Sequence, residues 1–241
     1  VSDVGIAARA ARAAGTVLLD LRRRGLAGRE LGAAGDAAAQ RAITAVLAAE
    51  RPADVVFSEE AADDLGRLTA DRVWIVDPLD GTREYGDPGR SDWAVHVALW
   101  AGGTLVAAAV ALPGVGAVLT TDPAPVVPEV GDRRPRIAVS RTRPPQVATA
   151  AAGALGGELV PLGSAGYKTT AVVRGEVDAY VHAGGMYQWD SAAPVAVALA
   201  AGLHASRLDG SPLRYNEPDP WLPDLLVCRP ELAAALLAAV R

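Results

Sequence analysis

The sequence predicts a layered α/β or α+β fold. Three observations carry that prediction. Short apolar runs of strand length end in acidic residues. Ala- and Leu-rich stretches with helical spacing lie between them. Glycine- and proline-marked turns join consecutive strands as antiparallel hairpins. Strands that alternate with helices, with hairpins among them, pack as layers around a common core.

The elements follow in order. Asp3 to Arg24 spaces its apolar residues for a helix, and Gly25 is placed to stop it. Asp36 is expected to cap a second helix running to about Glu50, with Pro52 beyond it. Val55-Val56-Phe57 reads as a strand delivering Ser58-Glu59-Glu60, and Val73-Trp74-Ile75-Val76 as one delivering Asp77. Trp93 to Leu99, Thr104 to Leu112 and Val115 to Thr120 read as strands, turned by Gly102-Gly103 and Pro113-Gly114. Asp122 to Pro135, with four prolines, reads as a loop or link. A strand at Arg136 to Ser140, a helix at Pro145 to Leu155 and a strand at Leu159 to Leu162 come next. Gly163 opens a turn into a helix through Val173, Val177 to His182 is a strand, and Asp190 to Ala201 is a helix stopped by Gly202. Leu225 to Cys228 reads as a buried strand segment.

Composition removes several function classes. The 241 residues are 51% hydrophobic, enough for one large core or two smaller ones. A net charge of −5 with no Lys/Arg run argues against a nucleic-acid groove or a membrane-surface patch. Cys228 is the single cysteine, so neither an internal disulfide nor a multi-cysteine metal site can form. No apolar run reaches the roughly 18 residues that a spanning helix needs, and no signal-like apolar run follows the first residues. The expected location is the cytoplasm. The chain carries one lysine, Lys168, beside 22 arginines. Lysine was replaceable elsewhere, so this one invites a reason.

Four segments can carry chemistry. In Val73 to Thr82 a buried strand ends in Asp77-Pro78-Leu79-Asp80-Gly81-Thr82. Pro78 stiffens the turn, and Gly81 permits an unusual backbone angle or a close approach. Such a turn can aim Asp77, Asp80 and the Leu79 carbonyl at one point, an oxygen set suited to magnesium; a tight acidic turn is the plainer alternative. Thr82 then opens a helix whose free amides suit a phosphate. Ser58-Glu59-Glu60 is either a second acidic contribution or a solvated loop. Asp190 in Trp189-Asp190-Ser191 is either a ligand or a helix cap. Gly163-Ser164-Ala165-Gly166-Tyr167-Lys168 is a glycine-flanked turn that can cradle a phosphate. His96, His182 and His204 read as structural or surface residues.

Taken together, Glu59-Glu60, Trp74-Ile75-Val76-Asp77-Pro78-Leu79-Asp80-Gly81-Thr82 and Trp189-Asp190-Ser191-Ala192-Ala193-Pro194 resemble the inositol monophosphatase-like superfamily of lithium-sensitive, magnesium-dependent phosphatases. The resemblance covers nearly the whole chain. Asp80-Gly81-Thr82-Arg83-Glu84-Tyr85, with Gln188-Trp189-Asp190 and Gly163-Ser164…Lys168, resembles its CysQ-type branch, which removes the 3′-phosphate from 3′-phosphoadenosine 5′-phosphate (PAP) and belongs to sulfur assimilation. The implied fold is the α-β-α-β-α sugar-phosphatase sandwich, with an N-terminal half (1–130) holding most ligands and a C-terminal half (131–241) holding Asp190 and the substrate loop.

The resemblance implies roles for individual residues. Glu59, Asp77 and the Leu79 carbonyl match ligands of a first magnesium, and Asp77, Asp80 and Asp190 those of a second. Glu60 can join a third. Thr82, partnered by Asp36, matches the pair that orients the attacking water. Glu59, Gly81, Thr82, Gly163, Ser164, Lys168 and Asp190 are expected to meet the substrate, with Lys168 at its second phosphate. Inositol 1-phosphate or fructose 1,6-bisphosphate is the alternative substrate, and a non-catalytic phosphate binder the alternative class. The expected partner is a small phosphorylated molecule, not nucleic acid or membrane. Many members of the superfamily are homodimers, and the sequence leaves monomer and homodimer open.

Overall fold

The computed structural model describes residues 1–240 of the 241. Two helices come first, α1 (Asp3–Arg22) and α2 (Gly28–Glu50). The Ser2 hydroxyl caps α1 by accepting from the Gly5 amide at 3.1 Å. Strands β1 (Val55–Ser58), β2 (Arg72–Asp80), β3 (Ala94–Ala101), β4 (Thr104–Leu112) and β5 (Ala117–Thr120) form one sheet in that spatial order, with the single turn of α3 (Thr82–Tyr85) after β2. β1 runs parallel to β2, and the other pairs are antiparallel. After the irregular stretch 121–135 come β6 (Arg136–Ser140), α4 (Gln146–Leu155), β7 (Glu158–Leu162), α5 (Ala165–Val173), β8 (Ala179–Tyr187), α6 (Gln188–Ala200), β9 (His204–Ser206), β10 (Trp221–Cys228) and α7 (Ala233–Val240). The second sheet has the order β7-β6-β8-β10-β9.

Strand alternation builds the layers, because successive side chains point to opposite faces. Trp74 and Val76 of β2, with Val95, Val97 and Leu99 of β3, pack under α1 and α2. Val73 and Ile75, with Ala94 and Ala98, face the other way, onto α5, α6 and the inner face of the second sheet at Tyr180, Leu225 and Val227. The outer face of that sheet, at Ile137, Val139, Val181 and Cys228, packs on α4 and α7. The sequence of layers is therefore α1/α2, first sheet, α5/α6, second sheet, α4/α7, which is the α-β-α-β-α sandwich.

Several sequence expectations need correction. The second helix begins at Gly28, so Asp36 lies inside it and caps nothing. Gly32 and Gly35 do not interrupt that helix, because they let it approach α3. A Cβ on Gly35 would lie 2.6 Å from Tyr85, and one on Gly32 would lie 2.7 Å from Thr82. Asp190 lies within the first turn of α6 and does not open it. β8 continues past His182 to Tyr187. The strand expected from Val115 starts at Ala117, after a short 3₁₀ turn. β9 and α7 had no counterpart in the sequence reading.

Candidate active site

The site begins where β2 leaves its ladder. Pairing with β3 is regular to Asp77↔His96 and resumes at Asp80↔Ala94, with an irregularity between. Pro78 has no N–H to give the ladder, and such a bulge re-aims side chains. The Leu79 amide folds back to donate to Asp77 Oδ1 at 3.0 Å. Gly81 then takes φ 86°, ψ 43°, a left-handed conformation open to glycine at little cost, and α3 starts.

Parallel pairing of β1 with β2 sets Ser58 opposite Val76, so Glu59 emerges beside Asp77. Asp190 reaches the same place from the first turn of α6, where its Oδ2 accepts the Tyr187 amide at 2.7 Å. One carboxylate oxygen from each of Glu59, Asp77 and Asp190 lies within 4.8 Å of the others. Asp77 is fully buried, and its Oδ2 has no hydrogen-bond donor. A buried anionic oxygen without a donor is costly unless a cation is bound there. These residues therefore fit a hard cation held by oxygen atoms, and the absence of Cys or a freely aimed His disfavours zinc.

Asp80 is not part of that close triad. Its carboxylate faces the turn before α5, where it accepts from the Ser164 hydroxyl, from the Ala165 amide at 3.2 Å and from the Gly166 amide at 2.6 Å. Its charge is nonetheless felt at Glu59, Asp77 and Asp190. The turn is strained: Ser164 has φ 49°, ψ 138°, which costs a non-glycine residue about 1–3 kcal/mol. Its hydroxyl also accepts the Tyr167 amide at 2.9 Å and so caps α5.

Thr82 and Asp36 are brought together by the packing of α2 on α3. The Thr82 hydroxyl lies 3.4 Å from Asp36 Oδ1 and 3.1 Å from the Leu79 carbonyl, both acceptors. Lys168 is only 5% exposed, and its ammonium donates to the carbonyls of Gly163 at 3.2 Å and Ser164 at 2.6 Å while lying 5.1 Å over the Tyr180 ring. Gly81, Thr82, Gly163, Ser164, Lys168 and Asp190 all line one cavity of about 310 Å3. Glu59 stands outside its lining, on the triad side, and Glu60 is exposed.

Asp92 and Glu84 have structural parts in the site and had no assigned role in the sequence, and His96, expected as a structural or surface residue, is a buried structural one. Asp92 is buried and accepts the Gly163 amide at 2.6 Å. Glu84 is buried against Gly163, where a Cβ would lie 2.3 Å from Glu84 Cγ. His96 is fully buried, pairs its Nδ1 with the Trp189 carbonyl at 3.1 Å, and places Nε2 3.4 Å from Asp80 Oδ2. A Cβ on Gly166 would fall 1.8 Å from that Nε2. Strand alternation was the signal for His96, since Ala94, His96 and Ala98 share the inner face.

Burial and crowding decide the electrostatics. Desolvation, then the charges of Glu59, Asp80 and Asp190, hold the Asp77 carboxyl well above the ordinary range. Desolvation, then Asp80, pushes Asp190 up to about 8. Glu59 is raised to about 7 by desolvation and then by Asp80 and Asp36, although its outer surface stays open to solvent, which screens part of the effect. Asp36 is raised to about 7 by desolvation and then by Glu60. Burial lowers Lys168 to about 8. A cluster that resists ionisation this strongly is one that a divalent cation would stabilise.

Comparison with known proteins supplies an independent line. A model of the inositol monophosphatase family matches residues 3–241. The 3′-phosphoadenosine 5′-phosphate phosphatase of Mycobacterium bovis is 56% identical over 218 residues, covering 87% of this chain and 82% of its own. The enzyme of the same name from Mycobacterium leprae is 51% identical over 255 residues, covering 100% of this chain and 94% of its own. The crystal structure of CysQ from Bacteroides thetaiotaomicron superposes with a TM-score of 0.81 at 26% identity, covering 94% of this chain and 97% of that one.

Proposed function

Because this chain belongs to the inositol monophosphatase family, we propose that it hydrolyses PAP to AMP and inorganic phosphate with magnesium as cofactor. One observation carries the chemistry: Glu59, Asp77 and Asp190 converge around a buried oxygen that lacks a donor. Similarity to the two mycobacterial enzymes supports PAP as the substrate.

Glu59, Asp77 and the Leu79 carbonyl would hold one ion, and Asp77, Asp80 and Asp190 a second, with Glu60 at the edge of a third position. When bound, magnesium supplies Lewis-acid activation of water and neutralises charge on the phosphate. The residues of the chain do the rest. The Thr82 hydroxyl donates to Asp36, which leaves a Thr82 lone pair to accept from the attacking water and aim it. As the water oxygen bonds to phosphorus and the ester P–O bond breaks, the water's proton passes through Thr82 to Asp36, and the leaving 3′-oxygen takes a proton from solvent. The one-turn helix α3 presents the amides of Thr82 and Arg83 to the phosphate oxygens. Lys168 and Asp92 fix the Gly163–Gly166 turn, and that turn fixes Asp80. Phosphoryl transfer asks mainly for such positioning and for charge neutralisation, so no nucleophilic side chain is required. Inhibition by lithium is part of the same reading.

A panel assay of phosphate release tests it. PAP should give the highest kcat/KM, ahead of inositol 1-phosphate and fructose 1,6-bisphosphate, with magnesium present. A chain that prefers either of the other two substrates would overturn the assignment of PAP.

A further inference from the structure

The cavity beside the carboxylates has a basic wall that the metal chemistry does not use. Arg141 and Arg143 follow β6 in the loop toward α4, and both line the cavity that holds Thr82 and Asp190. PAP has two phosphates, and only one can be at the reacting centre. The other needs cations to be tolerated in a cavity also lined by Asp80, Glu84 and Asp190. Lys168 is poorly placed for that duty. Two of its three N–H donors go to the Gly163 and Ser164 carbonyls beneath the turn.

The arginines are better placed. The Arg141 backbone is tied down where its amide donates to the Leu162 carbonyl at 3.2 Å. Its guanidinium gives one N–H to Glu84 Oε1 at 2.9 Å, which leaves four donors in a planar fork suited to phosphate oxygens. The Arg143 amide donates to the Ser140 hydroxyl at 3.2 Å, which orders the loop, and its guanidinium has no ion-pair partner among the described residues. Glu84 cannot move far, because it is buried against Gly163. It also lies two residues after Thr82, on the same turn of helix.

We propose that Arg141 and Arg143 form the subsite for the phosphate that is not hydrolysed, and that Glu84 is a positioning residue that holds Arg141 toward it. This rests on the reading of PAP as substrate. The single turn of α3 then serves both ends of the substrate: Thr82 meets the reacting phosphate, and Glu84 steers the cation for the distant one. The acid in the run Thr82-Arg83-Glu84 thereby acquires a physical reason.

The test compares PAP with adenosine 3′-phosphate, which has the same scissile group but lacks the 5′-phosphate. Wild type should favour PAP in kcat/KM. Arg143→Gln and Arg141→Gln should each lower kcat/KM for PAP at least about tenfold more than for adenosine 3′-phosphate, mainly through KM. Glu84→Gln should reduce discrimination in the same direction, and Glu84→Gln with Arg141→Gln should lose no more than Arg141→Gln alone. AMP, which keeps the 5′-phosphate, should bind Arg143→Gln more weakly by calorimetry; Arg143 is exposed, so this variant tests the subsite even if Glu84→Gln fails to fold. Equal losses on both substrates, or AMP binding unchanged in Arg143→Gln, would overturn the subsite. A wild-type enzyme that prefers inositol 1-phosphate to PAP would instead overturn the substrate reading on which the subsite rests.

Discussion

Asp80 and Thr82 carry the sharpest predictions at the scale of single residues. The Asp80 carboxylate accepts three hydrogen bonds from the turn before α5 and adds its charge to the triad. Asp80→Asn keeps the size but removes the charge and turns an NH2 group toward amide donors. Turnover should fall on the order of 100-fold or more, measured at saturating magnesium; a variant retaining over half the wild-type rate would remove Asp80 from the ligand set. Thr82→Ala deletes the hydroxyl near Asp36 and the Leu79 carbonyl. It should lower kcat far more than it raises KM, since a group that aims water acts mostly in the transition state. A change confined to KM would make Thr82 a binding residue. The acidic set was legible through the combination of motifs and their resemblance, because each strand-end acid by itself left a tight turn, a solvated loop or a helix cap open; the fold brings Glu59, Asp77 and Asp190 together. Lys168 stood out as the one lysine, but its setting did not: only the folded turn shows that a compact ammonium, bonded to two carbonyls, sits under it. The roles of Glu84 and Asp92 were invisible for the same reason, since each acts on a residue more than 50 positions away.

At the scale of elements, the inner edge of β3 against α5 gives the next prediction. Gly166 leaves no room for a side chain beside His96. Gly166→Ala should cost about 1–3 kcal/mol through overpacking, read by denaturant unfolding. His96→Ala should relieve part of that cost, so the double variant should be less destabilised than the two single losses added together. Simple additivity would show that the two residues do not press on each other. Strands whose apolar residues run between clear turns, such as β2, β4 and β6, were read to within a residue or two at their starts. Elements without such punctuation were not. α2 began eight residues before the expected capping aspartate: it starts at Gly28, and Gly32 and Gly35 lie inside it, where they allow close packing on α3. α7 is almost uniformly Ala, Leu and Val, so it has no polar face to betray a period. β9 is three residues long and owes its existence to pairing with β10.

The whole molecule joins its two sheets through side chains as well as through the α5/α6 layer. Asp80 with the Ser164 turn, Glu84 with Arg141, Asp92 with Gly163, and Arg67 with Asn216 at 2.8 Å all cross from one half to the other. The carboxylate cluster gives this assembly a pH dependence of definite sign. In the unfolded chain these carboxyls ionise near pH ~4, whereas in the folded, metal-free protein Asp190 keeps its proton up to about 8 and Glu59 and Asp36 up to about 7. The native state then binds more protons than the unfolded chain across that window, so stability falls as pH rises through it. With chelator present, Tm should be lower at pH 8 than at pH 6, and magnesium should raise it more at pH 8. A chelated protein whose Tm is flat between these values, or a magnesium effect larger at pH 6, would contradict the clustering. The bonds at Asp80 have one more consequence. Its oxygens accept from the amides of a strained turn, and on the proposed ligand set the same oxygens would face an ion seated next to Asp77, so the order of the turn and the retention of the ion would be linked variables. Linkage of this kind is reciprocal: the factor by which an ordered turn alters ion affinity is the factor by which the ion alters the ordering of the turn. Ser164→Ala, which removes the hydroxyl that both bonds Asp80 and caps α5, should therefore shift the magnesium titration midpoint, and the ratio of the two midpoints measures how strongly the turn and the ion are coupled through that carboxylate; equal midpoints would show them uncoupled.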